Sequence, residues 1–243
     1  MPENHFTEYT LTQSQLQIAG AIFSSILIVI GFYGVAKFEN VKKRAWVISL
    51  VNSFITMIVG VVYLVNKIPL YPEFLSFQLV DVSFYNSLDN FSVLACLWFF
   101  LACLFDLLFG LIFYPTQLGL LTAYIHHIVF MWIMVTGITG NGLFLTCAPF
   151  APSFVYMLIE EIPTFLLALG SIYPEYRTDF GFGISFFLLR LGYHFYHLGF
   201  GLKNKVPTVI IVLYSMSGLL HINWFYGWVK MMLKPKKTAK KEA

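Results

Sequence analysis

Charge is scarce in this sequence. Only 11% of the 243 residues are Asp, Glu, Lys or Arg, against roughly a quarter in an average soluble domain. With 58% hydrophobic residues and a mean hydropathy of +0.76, too little polar surface remains to coat a soluble globule, and that class is excluded. Cysteine is scarce as well. Of the three, Cys96 and Cys103 fall in one apolar run, so they make no extracellular disulfide framework and read as buried thiols. Lys and Arg gather only at the ends of apolar segments, which leaves no basic surface expected for nucleic acid. No internal repeat is evident.

What the chain has instead is apolar runs near the ~20 residues needed to cross the hydrocarbon of a bilayer. Their lengths predict helices near 16–36, 46–66, 91–113, 118–139, 143–170, 180–201 and 207–231, an all-α integral membrane protein of about seven spans. The first run exceeds a usual signal-peptide core, so it reads as an uncleaved anchor after a segment 1–15. The fifth holds Pro149, Pro152 and Pro163 and is expected to bend, or to be a re-entrant piece followed by a helix. The one long loop, 67–90, carries Glu73, Asp81 and Asp89 against Lys67.

Seven spans divide the basic residues unevenly. Lys37, Lys42, Lys43, Arg44, Arg177, Lys230, Lys234, Lys236, Lys237, Lys240 and Lys241 fall on one side, and Lys67, Lys203 and Lys205 on the other. The richer side is expected to be cytosolic, which puts the N-terminus in the lumen and the tail 234–243 in the cytosol. That tail ends "KKEA", placing Lys240 and Lys241 fourth and third from the end. It looks like the dilysine retrieval signal of endoplasmic-reticulum membrane proteins, read by coat machinery from the cytosol. A basic tail resting on anionic lipid is the plainer alternative. The sequon "NFS" at 90–92 falls on the expected lumenal side, close to the membrane.

Ionisable residues inside the spans are the strongest functional signal. Asp106, His126, His127, Glu160, Glu161, Arg190 and His221 all fall at a depth of about 10–15 Å below the cytosolic surface, counted at 1.5 Å per residue. Each costs at least ~2.5–3.5 kcal/mol at the centre of a lone helix, so such residues face a bundle interior and pair. Arg190, His194 and His197, spaced i, i+4, i+7, form one stripe, as do Ser217 and His221. Adjacent helical residues point about 100° apart, so His126 and His127 can reach different partners. A polar chamber open toward the cytosol follows.

The stretches "KRAWVISLVNS", "FDLLFG" (105–110), "HHIVFMW" (126–132), "EEIPTFLLAL" (160–169) and "NWFYGWVKMM" (223–232) resemble the TLC family of multi-spanning lipid proteins, which includes the ceramide synthases. The resemblance covers about 40–233. It implies six of the helices, spans two to seven, arranged as a TLC-type barrel around a lipid cavity that hosts a long acyl chain. The chain departs from ceramide synthases in having no His-Asp pair, and looks more like the shorter TLC-domain proteins.

Two functions follow. In the first, acyl-CoA is a co-substrate and the chain is an acyltransferase of the ceramide-synthase type. His126 or His127 is then base or acyl-accepting nucleophile, oriented by Asp106 or Glu161. Glu160, Arg190, His194, His197, His221, Asn223 and Trp224 contact the lipid or the acyl-CoA; structural pairing of Arg190 with Glu160 or Glu161 is the alternative. In the second, the polar layer grips a headgroup in a non-catalytic lipid sensor, carrier or chaperone. Membrane lipids are the partners in both. A metal centre built from His126, His127, His194, His197 and His221 with Asp106 and Glu161 would suit iron or zinc. Membrane di-iron enzymes, however, resemble one another in using about eight clustered histidines, against the five here, so no metal is expected.

Overall fold

The computed structural model describes residues 9–67, 88–141, 149–204, 206 and 208–234. Most of loop 67–90, with Glu73 and Asp81, lies outside these, as do Lys205 and the tail residues Lys240 and Lys241. Among the described residues the elements are helical throughout and no strand occurs.

Helix α1 is Gln13–Lys37. It starts at a capping box in which Thr12 accepts from the Gln15 N–H and the Gln15 side chain accepts from Thr12 N–H at 2.8 Å. The short α2, Val41–Arg44, is capped by Asn40 and leads into α3, Val47–Lys67. Helix α4, Asn90–Phe113, begins at a second capping box made by Asp89 and Ser92. The Asp89 carboxylate also accepts from Tyr63 Oη at 2.9 Å, tying α3 to α4 in the core. Asn90 is engaged by the N-terminal segment: its Oδ1 accepts from Thr10 N–H at 2.8 Å and its amide donates to Thr10 Oγ1 at 2.9 Å.

A π-helical turn, Leu120–Ile125, opens into α5, His126–Thr139, which stops at Gly140 in the left-handed region with φ 69°. The expected fifth span is interrupted within its described part, Ala151–Ile172. Helix α6, Ala151–Met157, gives way to a 3₁₀ turn, Leu158–Glu160, before α7, Glu161–Ile172. Pro163 has no N–H for the Ile159 carbonyl, which is taken instead by the Glu161 N–H. Next come α8, Asp179–Ser185, a π-helical stretch Phe186–Tyr193, and α9, His194–Lys203. Helix α10 is Thr208–Met232.

Among the described residues, six helical segments are long and apolar enough to cross a membrane: Gln13–Lys37, Val41–Asn66, Asn90–Phe113, Leu120–Thr139, Ala151–Ile172 and Thr208–Met232. The chain is a multi-pass all-α membrane protein. Expectation and structure differ at the run 180–201. It is helical from Asp179 to Lys203 but is not among the six, because Arg190, His194 and His197 dilute its apolar content.

Packing sets those residues inward. Helix α1 lies on α4 and α3, α3 on α7 and on the 3₁₀ turn, α4 on α5 and α6, and α10 on α9 and the π-helical stretch. Glycines permit two of these approaches: a Cβ at Gly31 would fall 2.5 Å from the Phe109 ring, and one at Gly60 would fall 2.6 Å from the Ile159 backbone nitrogen. The outer surface is apolar, with Ile18, Val29, Phe32, Ile112, Leu188 and Leu219 exposed, as lipid contact requires. Cys96 and Cys103 are buried free thiols in the core.

Candidate functional site

Three of the irregular turns adjoin the ionisable residues of the interior. The π-helical turn Leu120–Ile125 delivers His126 and His127, the 3₁₀ turn delivers Glu160 and Glu161, and the π-helical stretch carries Arg190 and leads directly into His194. Such departures from the α ladder redirect neighbouring side chains and recur at functional sites.

Two partnered groups result. In the first, His127 Nε2 lies 3.2 Å from Asp106 Oδ2 and its Nδ1 lies 2.7 Å from the Ala123 carbonyl oxygen. Tyr114 Oη donates to Asp106 Oδ1 at 2.7 Å. Both ring nitrogens of His127 thus face acceptors, and a neutral imidazole has one N–H. Each ring nitrogen of His127 is occupied by a partner, leaving no lone pair free for a substrate.

In the second group Glu160 Oε1 lies 2.8 Å from His194 Nδ1, and Glu160 Oε2 lies 3.7 Å from His221 Nδ1. His194 Nε2 donates to the Tyr214 carbonyl at 2.8 Å, and His221 Nδ1 donates to the Arg190 carbonyl at 3.0 Å. Arg190 stands between the groups. Its Nη2 donates to Glu161 Oε1 at 3.0 Å and to Thr164 Oγ1 at 2.6 Å, and its Nε donates to the Glu160 carbonyl at 2.9 Å. The rings of Phe186 and Trp224 flank the guanidinium at 5.5 and 5.7 Å. Arg190 is therefore paired with Glu161, one of the two partners the sequence left open.

Two cavities meet at His126. One, of about 390 Å³, is lined by Trp46, Ser49, Asn52, Thr122, His127, Thr164 and Trp228 among others, a volume within the usual range for small-molecule sites. Its lining residues Trp46 and Trp228 stand two positions from Arg44 and Lys230 in the sequence, and Phe182 five from Arg177. The other, of about 70 Å³, runs from Glu160, His194 and His221 to an apolar end at Ile133, Phe150 and Ile210. His126, Glu161 and Arg190 line both. His126 packs against the rings of Phe130 at 4.5 Å and Trp224 at 5.7 Å. Its Nδ1 is buried without a hydrogen-bond partner. The adjacent histidines thus have opposite circumstances, one tied and one free.

The other expected site residues divide. Trp224 lines the larger cavity. His197 is buried among the rings of Tyr156, Tyr193 and Tyr196 and lines neither cavity. Asn223 is exposed on the outer face of α10 and also lines neither. Sequence reasoning missed Tyr114 and Thr164, whose partners are remote in spacing, and Asn52, which stands in the quoted "WVISLVNS" and accepts from Trp98 Nε1 at 3.1 Å. No protein-family model, curated protein or solved structure matches the chain.

Proposed function

We propose that this chain is a TLC-type protein of the endoplasmic-reticulum membrane that transfers an acyl group from acyl-CoA to an amine or hydroxyl of a lipid. The observation that carries the reading is His126, a histidine with an unpartnered ring nitrogen that lines both a larger cavity of mixed polar and aromatic lining and a smaller, apolar-ended one. Here the helical run Asp179–Lys203 is a seventh span, its polar stripe turned to the cavities, and spans two to seven form the barrel. The N-terminus is lumenal, so the larger cavity opens to the cytosol, where Lys42, Lys43 and Arg44 meet the CoA phosphates.

His126 acts as general base. It takes the proton from the acceptor amine or hydroxyl as that group attacks the thioester carbonyl. The C–S bond breaks, and the proton passes to the departing CoA thiolate. An amide or ester and free CoA result, with His126 restored. Asp106 and His127 are positioning residues that hold the start of α5. Glu161 holds Arg190 beside the reacting centre.

The test supplies labelled acyl-CoA to purified protein with sphingoid amines and lipid alcohols, and follows products by mass spectrometry. A labelled amide or ester that His126→Asn abolishes is expected. Co-purifying lipid with no acyl-CoA-dependent product would replace this reading with the sensor or carrier.

A further inference from the structure

We propose that Glu160, His194 and His221 form a binding site for one divalent transition-metal ion, Zn²⁺ or Fe²⁺. This does not depend on the acyl-transfer reading.

One donor atom from each residue lies within 4.8 Å of the other two. The three come from three separate segments, the 3₁₀ turn, the start of α9 and α10, so the cluster is a product of the tertiary fold. Spacing is the first argument. Two N or O ligands about 2.0–2.2 Å from a metal, at tetrahedral to octahedral angles, are about 2.9–3.4 Å apart. His194 Nδ1 lies 2.8 Å from Glu160 Oε1, at the lower edge of that range, and His221 Nδ1 lies 3.7 Å from the other carboxylate oxygen, Oε2. With one donor atom of each residue within 4.8 Å of the others, side-chain adjustment brings the three onto one ion.

The second argument is the surrounding shell. His194 Nε2 donates to the Tyr214 carbonyl at 2.8 Å. This outward hydrogen bond directs the Nδ1 lone pair of a neutral ring toward a metal. Burial is the third. Glu160, His194 and His221 are 7%, 2% and 5% exposed, and a carboxylate so placed needs a cationic partner. The one guanidinium nearby, Arg190, is held by Glu161 at 3.0 Å. Without a metal, both nitrogens of His194 face acceptors and the ring must share a second proton with Glu160. A divalent ion replaces that shared proton; His221 ligates by exchanging its Nδ1–H bond to the Arg190 carbonyl, at 3.0 Å, for the metal, which accounts for the convergence of the third residue.

Ligand chemistry selects the ion. Two imidazoles and one carboxylate suit Zn²⁺ and Fe²⁺. The same residues line the smaller cavity beside Ser217 and Tyr214, so coordination positions are left for water or a ligand oxygen.

The experiment uses the full chain in detergent, purified on a tag without histidines, and measures metal by mass spectrometry before and after chelation and reloading with Zn²⁺, Fe²⁺ or Co²⁺. About one equivalent per chain is expected, with Co²⁺ giving a tetrahedral or five-coordinate visible spectrum. Glu160→Gln and His221→Asn should each lower metal affinity by about 10–100-fold or more, while Asn223→Ala, at an exposed position lining neither cavity, keeps it. X-ray absorption of the metal-loaded wild type should show N/O ligands including two imidazoles, a readout independent of whether the variants fold. Less than about 0.1 equivalent after reloading, a sulfur-containing shell, or binding undiminished in both variants would overturn the proposal.

Discussion

Replacing His127 with Asn should cost stability, whereas replacing His126 with Asn should cost turnover. His127 bridges Asp106 at 3.2 Å and the Ala123 carbonyl at 2.7 Å, and the shorter Asn keeps at most one of these bonds. Intramembrane hydrogen bonds average ~0.6 and reach ~1.7 kcal/mol each, while removing one partner of a buried pair costs ~3–5 kcal/mol. Tyr114 still serves Asp106 at 2.7 Å, which moderates the second term. The expected loss is about 2–3 kcal/mol. At 2–4 °C per kcal/mol for a chain of this size, the melting temperature falls by ~4–12 °C. His126 has no hydrogen bond to lose at Nδ1, so His126→Asn forfeits only ring contacts, under about 1 kcal/mol. As the proposed base, it should lower acyl transfer by 10²–10⁴-fold.

Thermal unfolding of the detergent-solubilised protein, run beside the labelled acyl-CoA assay, reads both quantities. A double-mutant cycle with Asp106→Asn adds a check. Because His127 and Asp106 share one interaction, the double variant should lose less than the sum of the singles. The reasoning fails if His127→Asn melts within about 1 °C of wild type, or if His126→Asn destabilises as much as His127→Asn.

Gly60→Ala is expected to destabilise by about 1–3 kcal/mol, since its Cβ would meet the backbone of Leu158 and Ile159, which cannot swing aside as a side chain can; the same unfolding assay measures it. Lys240→Ser with Lys241→Ser should release the protein from the endoplasmic reticulum, seen by microscopy and glycan processing of a reporter. A tag on the C-terminus should be digested by protease in intact microsomes, and protection would reverse the orientation.

The sequence by itself determined the class of this protein and the inventory of its interior. Apolar run lengths were sufficient for six membrane-length helices, because a bilayer leaves the backbone few other ways to satisfy its hydrogen bonds. The desolvation cost of ionisable groups was sufficient to single out Asp106, the His pair, Glu160, Glu161, Arg190 and His221 as inward-facing. The interruption of the fifth span was legible because Pro163 removes a specific donor. The same composition rule worked less well for Asp179–Lys203, where the residues that make the interior polar also lower the apolar signal. Only the tertiary structure decided who partners whom. His126 and His127, like Glu160 and Glu161, are adjacent in sequence and point about 100° apart, so each pair is divided by which helix packs on which side. The irregular turns at 120–125, 158–160 and 186–193 then rotate those side chains by amounts that no regular period encodes. That is why the fold, and not the spacing, gave Asp106 to His127, Glu161 to Arg190 and Glu160 to His194, and left His126 free between two cavities.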